Sequence, residues 1–340
     1  MGILSAIGFL WNQLKQLPLP SGDDVPSRVF MVVGSNVGLG LEASVHIACM
    51  KPKSLLVTCR DTDKCKRTRQ VILERASADG EESQQVETCP LDLSKFDSVR
   101  AVADYMAAKE DRQLNVVVAN AAVLRQDYSS TLDGWNLTLQ VNYISTVLLS
   151  ILLLPYLAES STPDSPSRLV FVSSLAHYFG GRLLKDAGTW DRILETVSDE
   201  KFANEHCREG RYSVSKLFGV MFLRELEARL PKPSPVVVCS VDPGLCRTDM
   251  FWNSQARFMS LFSRSAEQGS RTLLHGAIGG DADVINGRYL ATCSVSRESE
   301  YVFTPEGQEL SKKLWDETIS LLSQIDPRVP QIIEQYLRND

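Results

Sequence analysis

The chain has 340 residues, of which 44% are apolar and 23% charged, with a net charge of −6. That balance belongs to a packed globular protein rather than a disordered one, and an acidic chain whose densest cationic stretch (Lys64 to Arg69) sits beside Asp61 and Asp63 excludes nucleic acid as a partner. Eight cysteines without C-x-x-C spacing, and four histidines that form no cluster with them, argue against a metal site and read as reduced thiols of the cytoplasm.

The apolar start, residues 3–14, is interrupted at Asn12, Gln13 and Lys15, short of the roughly 20 residues a bilayer span needs. It has neither the basic start nor the small-residue cleavage site of a signal peptide, and Ala6 stands where a myristoylation motif has Ser or Thr. The expectation is a helix packed on the body of the protein, with peripheral membrane contact as the alternative. The sequon Asn136-Leu137-Thr138 would matter only in a secreted chain. Pro18 to Gly22 reads as a linker, so 1–26 is an N-terminal helix and linker and 27–340 a single domain.

From there short Val- and Leu-rich runs alternate with amphipathic segments. The runs are 29–33, 54–59, 85–90, 115–119, 168–172 and 235–241, and none alternates cleanly, as expected of strands covered on both faces. Helical patterns fall at 40–49, 64–77, 94–109, 132–157 and 214–230. Strict alternation predicts an α/β fold with a doubly wound parallel sheet of Rossmann type. Residues 180–211 interrupt the alternation and read as an insertion at the substrate mouth. The stretch 249–340 is expected to form a substrate lid and C-terminal helices, with the apolar spacing from Met250 to Phe262 fitting either core or lid.

The first strand runs into Gly34-Ser35-Asn36-Val37-Gly38-Leu39-Gly40 and then a helix. Glycines there let the backbone approach a pyrophosphate, which rests on the free N–H groups of the helix N-terminus. The second strand ends in Arg60-Asp61, 20 residues beyond Gly40. Arg60, with Lys64, offers charge to the 2′-phosphate of NADP, which is the favoured cofactor; Asp61 leaves NAD open.

Tyr212 and Lys216 lie four residues apart, on one face of a helix. A lysine charge favours phenolate, so such a tyrosine can exchange a proton with a carbonyl oxygen. Tyr105 and Lys109 have the same spacing on a charged helix, so spacing alone does not choose. Context favours Tyr212. Ser173-Ser174, Asn120 and Asp242-Pro243-Gly244 each follow an apolar run, at the sheet edge where α/β proteins bind ligands. His177 lies near Ser174, but no G-x-S-x-G elbow surrounds that serine, which argues against a hydrolase.

In order, these motifs resemble the short-chain dehydrogenase/reductase family over roughly residues 29–248. The look of Cys59-Arg60-Asp61 with Lys64 and of the late 307–322 stretch resembles its retinol-dehydrogenase-like and fungal NADPH-dependent reductase branch. The resemblance implies that Gly34, Asn36, Gly38, Leu39 and Gly40 hold the cofactor and that Asp92 contacts its adenine. It also implies that Asn120, in an altered motif ending in Ala122, belongs to the cofactor site, and that Pro243, Gly244 and Thr248 meet the nicotinamide. Asn142 would anchor a water for proton relay, Ser174 orient the substrate, Tyr212 act as acid or base, and Lys216 hold the ribose. The gap of 38 residues from Ser174 to Tyr212 is longer than in the family's smaller members and coincides with the insertion. The implied activity is hydride transfer between NADPH and a lipophilic carbonyl or alcohol, with secondary metabolism as one setting and a homodimer as one assembly. Alternatives are a catalytically silent nucleotide sensor of the same fold, or an enzyme acting on a double bond or sugar.

Overall fold

A computed structural model describes residues 13–76, 85–125, 127–205, 207–248 and 263–338. Most of the apolar N-terminal run and the 249–262 stretch, with its expected lid, lie outside them.

Eight strands form one sheet in the order β3-β2-β1-β4-β5-β6-β7-β8. The first six are β1 (Val29–Val33), β2 (Ser54–Cys59), β3 (Val86–Pro90), β4 (Val116–Ala119), β5 (Ser167–Val172) and β6 (Val236–Asp242). They fall within a residue of the apolar runs at nearly every end, and all pair in parallel. Two strands escaped the sequence reading: β7 (Arg288–Ala291), parallel to β6, and β8 (Ser294–Ser296), antiparallel to β7. The expected doubly wound parallel sheet is found in seven strands, and one short antiparallel strand is added at that edge. A strand three or four residues long, polar at several positions, leaves no apolar run to read, and it pairs because β6 presents an open ladder.

Both faces of the sheet are covered, which is why the strands carry no polar alternation. Met31, Val117, Leu169 and Val238 face one core, and Phe30, Val116, Val170 and Val237 the other. Helices α1 (Gly38–Cys49) and α2 (Thr62–Ala76) cover the second core. The first core lies under α3 (Phe96–Ala108) and α4 (Leu137–Glu159). Helix α4 is long and apolar enough to cross a membrane, and 94% of its most apolar window is buried inside the protein.

The insertion folds as short helices, including α5 (Ile193–Ser198) and α6 (Glu200–Glu205), ahead of α7 (Cys207–Arg229). Its Leu184, Ile193, Leu194 and Val197 are buried in the first core, each worth about 1.5–3 kcal/mol against exposure. Farther on come α8 (Ala266–Leu274), α9 (Pro305–Ile325) and α10 (Arg328–Tyr336). Glu317 on α9 accepts the amides of Ile193 and Leu194, both at 2.7 Å, and so fastens the start of α5. Trp315 stacks on Phe222 of α7 at 5.3 Å, and Tyr143 of α4 bonds Thr318 at 2.8 Å. The C-terminal helices are thus part of the core.

The register sets the site. Val33 lies beside Ala119, Ala119 beside Phe171, and Val172 beside Val241. Gly34, Asn120, Ser173 and Pro243 therefore leave the sheet along one edge.

Candidate active site

The turn between β1 and α1 is shaped by glycine where no other residue fits. Gly34 has φ +77°, and a Cβ there would lie 2.8 Å from that of Ala121; on Gly40 it would lie 2.2 Å from the carbonyl of Gly34. Asn120 donates to the carbonyls of Val33 and Gly34 at 3.1 and 3.0 Å, tying the end of β4 to this turn. No side chain caps the start of α1, so its first amides, at Gly38, Leu39 and Gly40, face the turn as a receptor for an anion. Asn36 is half-buried in the turn, and a Cβ on Gly38 would lie 3.3 Å from Thr248. These features fit the pyrophosphate of a dinucleotide.

At the end of β2 the two candidate charges separate. Asp61 accepts the Lys64 amide at 2.8 Å and pairs with its ammonium at 3.1 Å, which holds the carboxyl below its ordinary range. Arg60 is exposed and bonds no described residue, so its guanidinium is open to a ligand. Asp92 stands at the next strand end, where the Leu91 amide bonds the Cys59 carbonyl at 2.7 Å. Its carboxylate accepts from the amide and hydroxyl of Ser94 at 3.0 and 2.7 Å, a local turn ahead of α3.

The polar groups of β5 and α7 meet at the same edge. The Ser174 hydroxyl lies on the side of the Tyr212 phenol and favours its phenolate. Burial pushes this phenol up to about 12, against the help of Ser174. Lys216 is 6% exposed, lies 5.6 Å from the Tyr212 ring centre, and donates to the Val172 carbonyl at 2.7 Å. Burial brings its ammonium down to about 8, with Asp242 opposing the shift. In the free protein the pair is therefore a neutral phenol beside an ammonium at neutral pH.

Asn142 sits in a π-helical turn of α4, Gln140–Ile144. Its side chain accepts from the Val123 amide at 2.8 Å and donates to the Val123 carbonyl and the Ser215 hydroxyl at 3.0 and 3.1 Å. This clamps the segment after β4 against α7. Asn142, Ser173, Ser215, Lys216 and Ser240 line one small cavity beneath the edge, and the buried Ser173 hydroxyl is unpaired among the described residues.

The second Tyr–Lys pair is bound to a carboxylate instead. Tyr105 and Lys109 both donate to Glu87, at 2.7 and 2.5 Å. Burial alone would raise Glu87, but these bonds and one from Ser54 hold it low. The Tyr105 phenol is pushed well up by burial and by Glu87. Tyr105→Phe should cost about 1 kcal/mol in a urea titration, the worth of one hydrogen bond; a loss above about 3 kcal/mol would show a larger role in folding.

His177 is fully buried, with Nδ1 on the Ser174 carbonyl at 2.8 Å and Nε2 accepting the Ser299 amide at 3.1 Å. Burial lowers it to about 4, and no nitrogen remains to activate a serine. Residues to which the sequence reading gave no role of their own also shape the edge. Asp242 and Tyr289 meet behind the turn at Gly244, and Gln13 donates to the Leu245 carbonyl at 3.3 Å. An Asp before Pro-Gly is a local turn signal; nothing local marks Tyr289 or Gln13.

The family model described as short chain dehydrogenase matches residues 28–184. A short chain dehydrogenase of Arthrobotrys oligospora is 31% identical over 92% of this chain and 97% of its own length. Retinol dehydrogenase 11 of Homo sapiens is 33% identical over 88% of this chain and 86% of its own. Among solved structures, the RhlG/NADP complex of Pseudomonas aeruginosa superposes with a TM-score of 0.58 at 19% identity, covering 78% of this chain and 94% of that one.

Proposed function

The chain belongs to the short-chain dehydrogenase/reductase family of NAD(P)-dependent oxidoreductases, and from that premise we propose an NADPH-preferring enzyme that interconverts a lipophilic aldehyde or ketone and its alcohol. The observation that carries this reading is Lys216, buried 5.6 Å from the Tyr212 ring centre and bonded to the last carbonyl of β5 at the ligand-binding edge.

The bound cofactor would supply or accept the hydride. Gly34, Asn36 and the amides of Gly38, Leu39 and Gly40 would hold its pyrophosphate, Asp92 and Asn120 its adenine and ribose, and Pro243, Gly244 and Thr248 its nicotinamide. Ser174 orients the substrate carbonyl toward Tyr212. Tyr212 gives its proton to the carbonyl oxygen in reduction and accepts one in oxidation. Lys216 holds the ribose and its ammonium favours the phenolate that results. The cavity shared by Asn142, Ser173 and Ser215 supports a path along which Lys216 is reprotonated.

Two observations favour a lipophilic substrate. Tyr178 and Phe179 are exposed just beyond Ser174, and the chain is similar to a protein named retinol dehydrogenase. We place the enzyme in the cytoplasm with small molecules as partners, and assign any membrane contact to the N-terminal segment.

Arg60 decides the cofactor. Fluorescence titration is expected to give at least tenfold tighter binding of NADPH than NADH, about 1.4 kcal/mol. Arg60→Ala should remove that preference and leave NADH binding within twofold. A preference for NADH in the wild-type protein would pass the role to Asp61 and point to alcohol oxidation; failure to bind either dinucleotide would remove the proposed function. Binding without turnover across a broad carbonyl panel would favour the nucleotide sensor.

A further inference from the structure

Residues 13–22 lie against α8 and the turn that follows it. Gln13 is 5% exposed and its neighbour Leu14 67%, the reverse of what solvation alone selects, so a partner must hold the glutamine inside. That partner is the turn after β6, where the Gln13 side chain donates to the Leu245 carbonyl at 3.3 Å. Its amide oxygen lies 2.5 Å from where a Cβ on Gly244 would stand, so glycine, at φ +78°, is what lets the two approach. Farther along, the Leu17 amide donates to Gln268 of α8 at 3.0 Å, and the Leu17 carbonyl accepts from Arg271 at 2.6 Å. Arg271 is held in turn by Glu267, which also bonds His46 of α1 at 3.1 Å. Pro20 seats on Gly279, where a Cβ would come within 2.4 Å of the proline ring. The segment is a strap, fastened at Leu17 and Pro20 and reaching the turn with Gln13.

That turn closes the ligand-binding edge. Thr248 stands over the glycine turn, its methyl 3.3 Å from where a Cβ on Gly38 would be. On one side the turn is paired through backbone: the Arg264 amide donates to the Leu245 carbonyl at 2.8 Å, and the Arg247 amide to the Arg264 carbonyl at 2.9 Å. Gln13 supplies, from the other chain end, a second donor to the same Leu245 carbonyl, which has two lone pairs to receive them. We propose that Gln13 is a positioning residue, through which the strap holds the turn at Gly244 and Leu245 in the conformation that receives the dinucleotide. The dinucleotide as the turn's ligand rests on the function proposed above; the strap's hold on the turn does not. A turn kept in its binding conformation before the ligand arrives spares the ligand the cost of ordering it, and the gain appears as affinity.

The test joins NADPH titration, steady-state kinetics and amide hydrogen exchange on the full-length protein. Gln13→Met keeps the length and bulk of the side chain and removes its donor. Kd and KM for NADPH should rise about threefold to tenfold, the worth of roughly one neutral hydrogen bond. At saturating NADPH kcat should stay within twofold, because Ser174, Tyr212 and Lys216 stand on other elements. In the free protein, exchange at the Arg247 amide should quicken threefold or more, while the Leu17 amide keeps its protection. Arg271→Met releases the strap at the Leu17 carbonyl without touching the turn; it should quicken exchange at Leu17 and raise Kd for NADPH twofold or more. A glutamine that only packs would lower the melting temperature and leave Kd and KM for NADPH at their wild-type values, and that result overturns the proposal. Unchanged exchange at Arg247 in Gln13→Met overturns it equally. If Gln13→Met does not fold, Arg271→Met decides: NADPH bound as tightly as by the wild-type protein overturns the proposal, and weaker binding with kcat retained supports it. A wild-type protein that binds no dinucleotide would sink the proposed function and leave exchange at Arg247 to decide the strap's hold on the turn.

Discussion

Tyr212→Phe is expected to slow carbonyl reduction by roughly a hundredfold to ten-thousandfold, the range for loss of a placed general acid. A hundredfold is about 2.7 kcal/mol of transition-state stabilisation. The substitution removes one oxygen from a ring that keeps its place: Tyr212 is partly buried, and Lys216 lies 5.6 Å from its ring centre. Dinucleotide binding should therefore stay within threefold, because the glycine turn and Arg60 are on other elements. Single-turnover rates with saturating NADPH separate the two effects. Retention of more than a tenth of the wild-type rate would mean that another group delivers the proton. Tyr105 cannot be that group, since its phenol and its lysine are both held by Glu87.

Lys216→Met should lower kcat a hundredfold or more and also change the shape of the pH profile. Two unit charges about 5 Å apart at an effective dielectric constant of 20 interact by roughly 3 kcal/mol, enough for a factor above a hundred. The sign follows from burial. The Lys216 ammonium is brought down to about 8 and the Tyr212 phenol pushed up to about 12. As pH rises, the lysine loses its proton first, while the tyrosine is still protonated. Reduction by the wild-type protein should be level in the acid and neutral range and fall as pH passes through about 8, where the ammonium that resupplies Tyr212 disappears. In Lys216→Met the rate should be low throughout, with that limb gone. A limb that persists near the same pH in the variant would assign the titration to a different group. Loss of the bond to the Val172 carbonyl is also expected to cost about 1–3 kcal/mol of stability, which thermal denaturation would register.

The sheet was largely legible because its six central strands are buried on both faces. Burial selects Val and Leu at every position, and the resulting runs end where the polar edge begins. The glycine turn was legible for a related reason: backbone that approaches within 2.2 Å of where a Cβ would stand admits glycine alone, so the constraint is written locally. Tyr212 and Lys216 could be paired from helical spacing, but Tyr105 and Lys109 have the same spacing. Their difference lies in Glu87, which stands on β3, and in Ser174, which stands in the turn after β5.

By itself the sequence determined the alternation of strands and helices, the glycine turn before α1, and the set of residue types able to bind a dinucleotide and move a proton. Each of these follows from local rules of backbone sterics, periodicity and side-chain chemistry. Only the tertiary structure decided which tyrosine meets a serine, that Asn142 clamps α4 to α7, and that β7 and β8 extend the sheet. It also decided that Asp242 accepts both the Gly244 amide and the Tyr289 hydroxyl. Those outcomes depend on which groups are desolvated together and must find partners in each other. Neighbours so far apart in the chain leave no periodicity from which their meeting can be read.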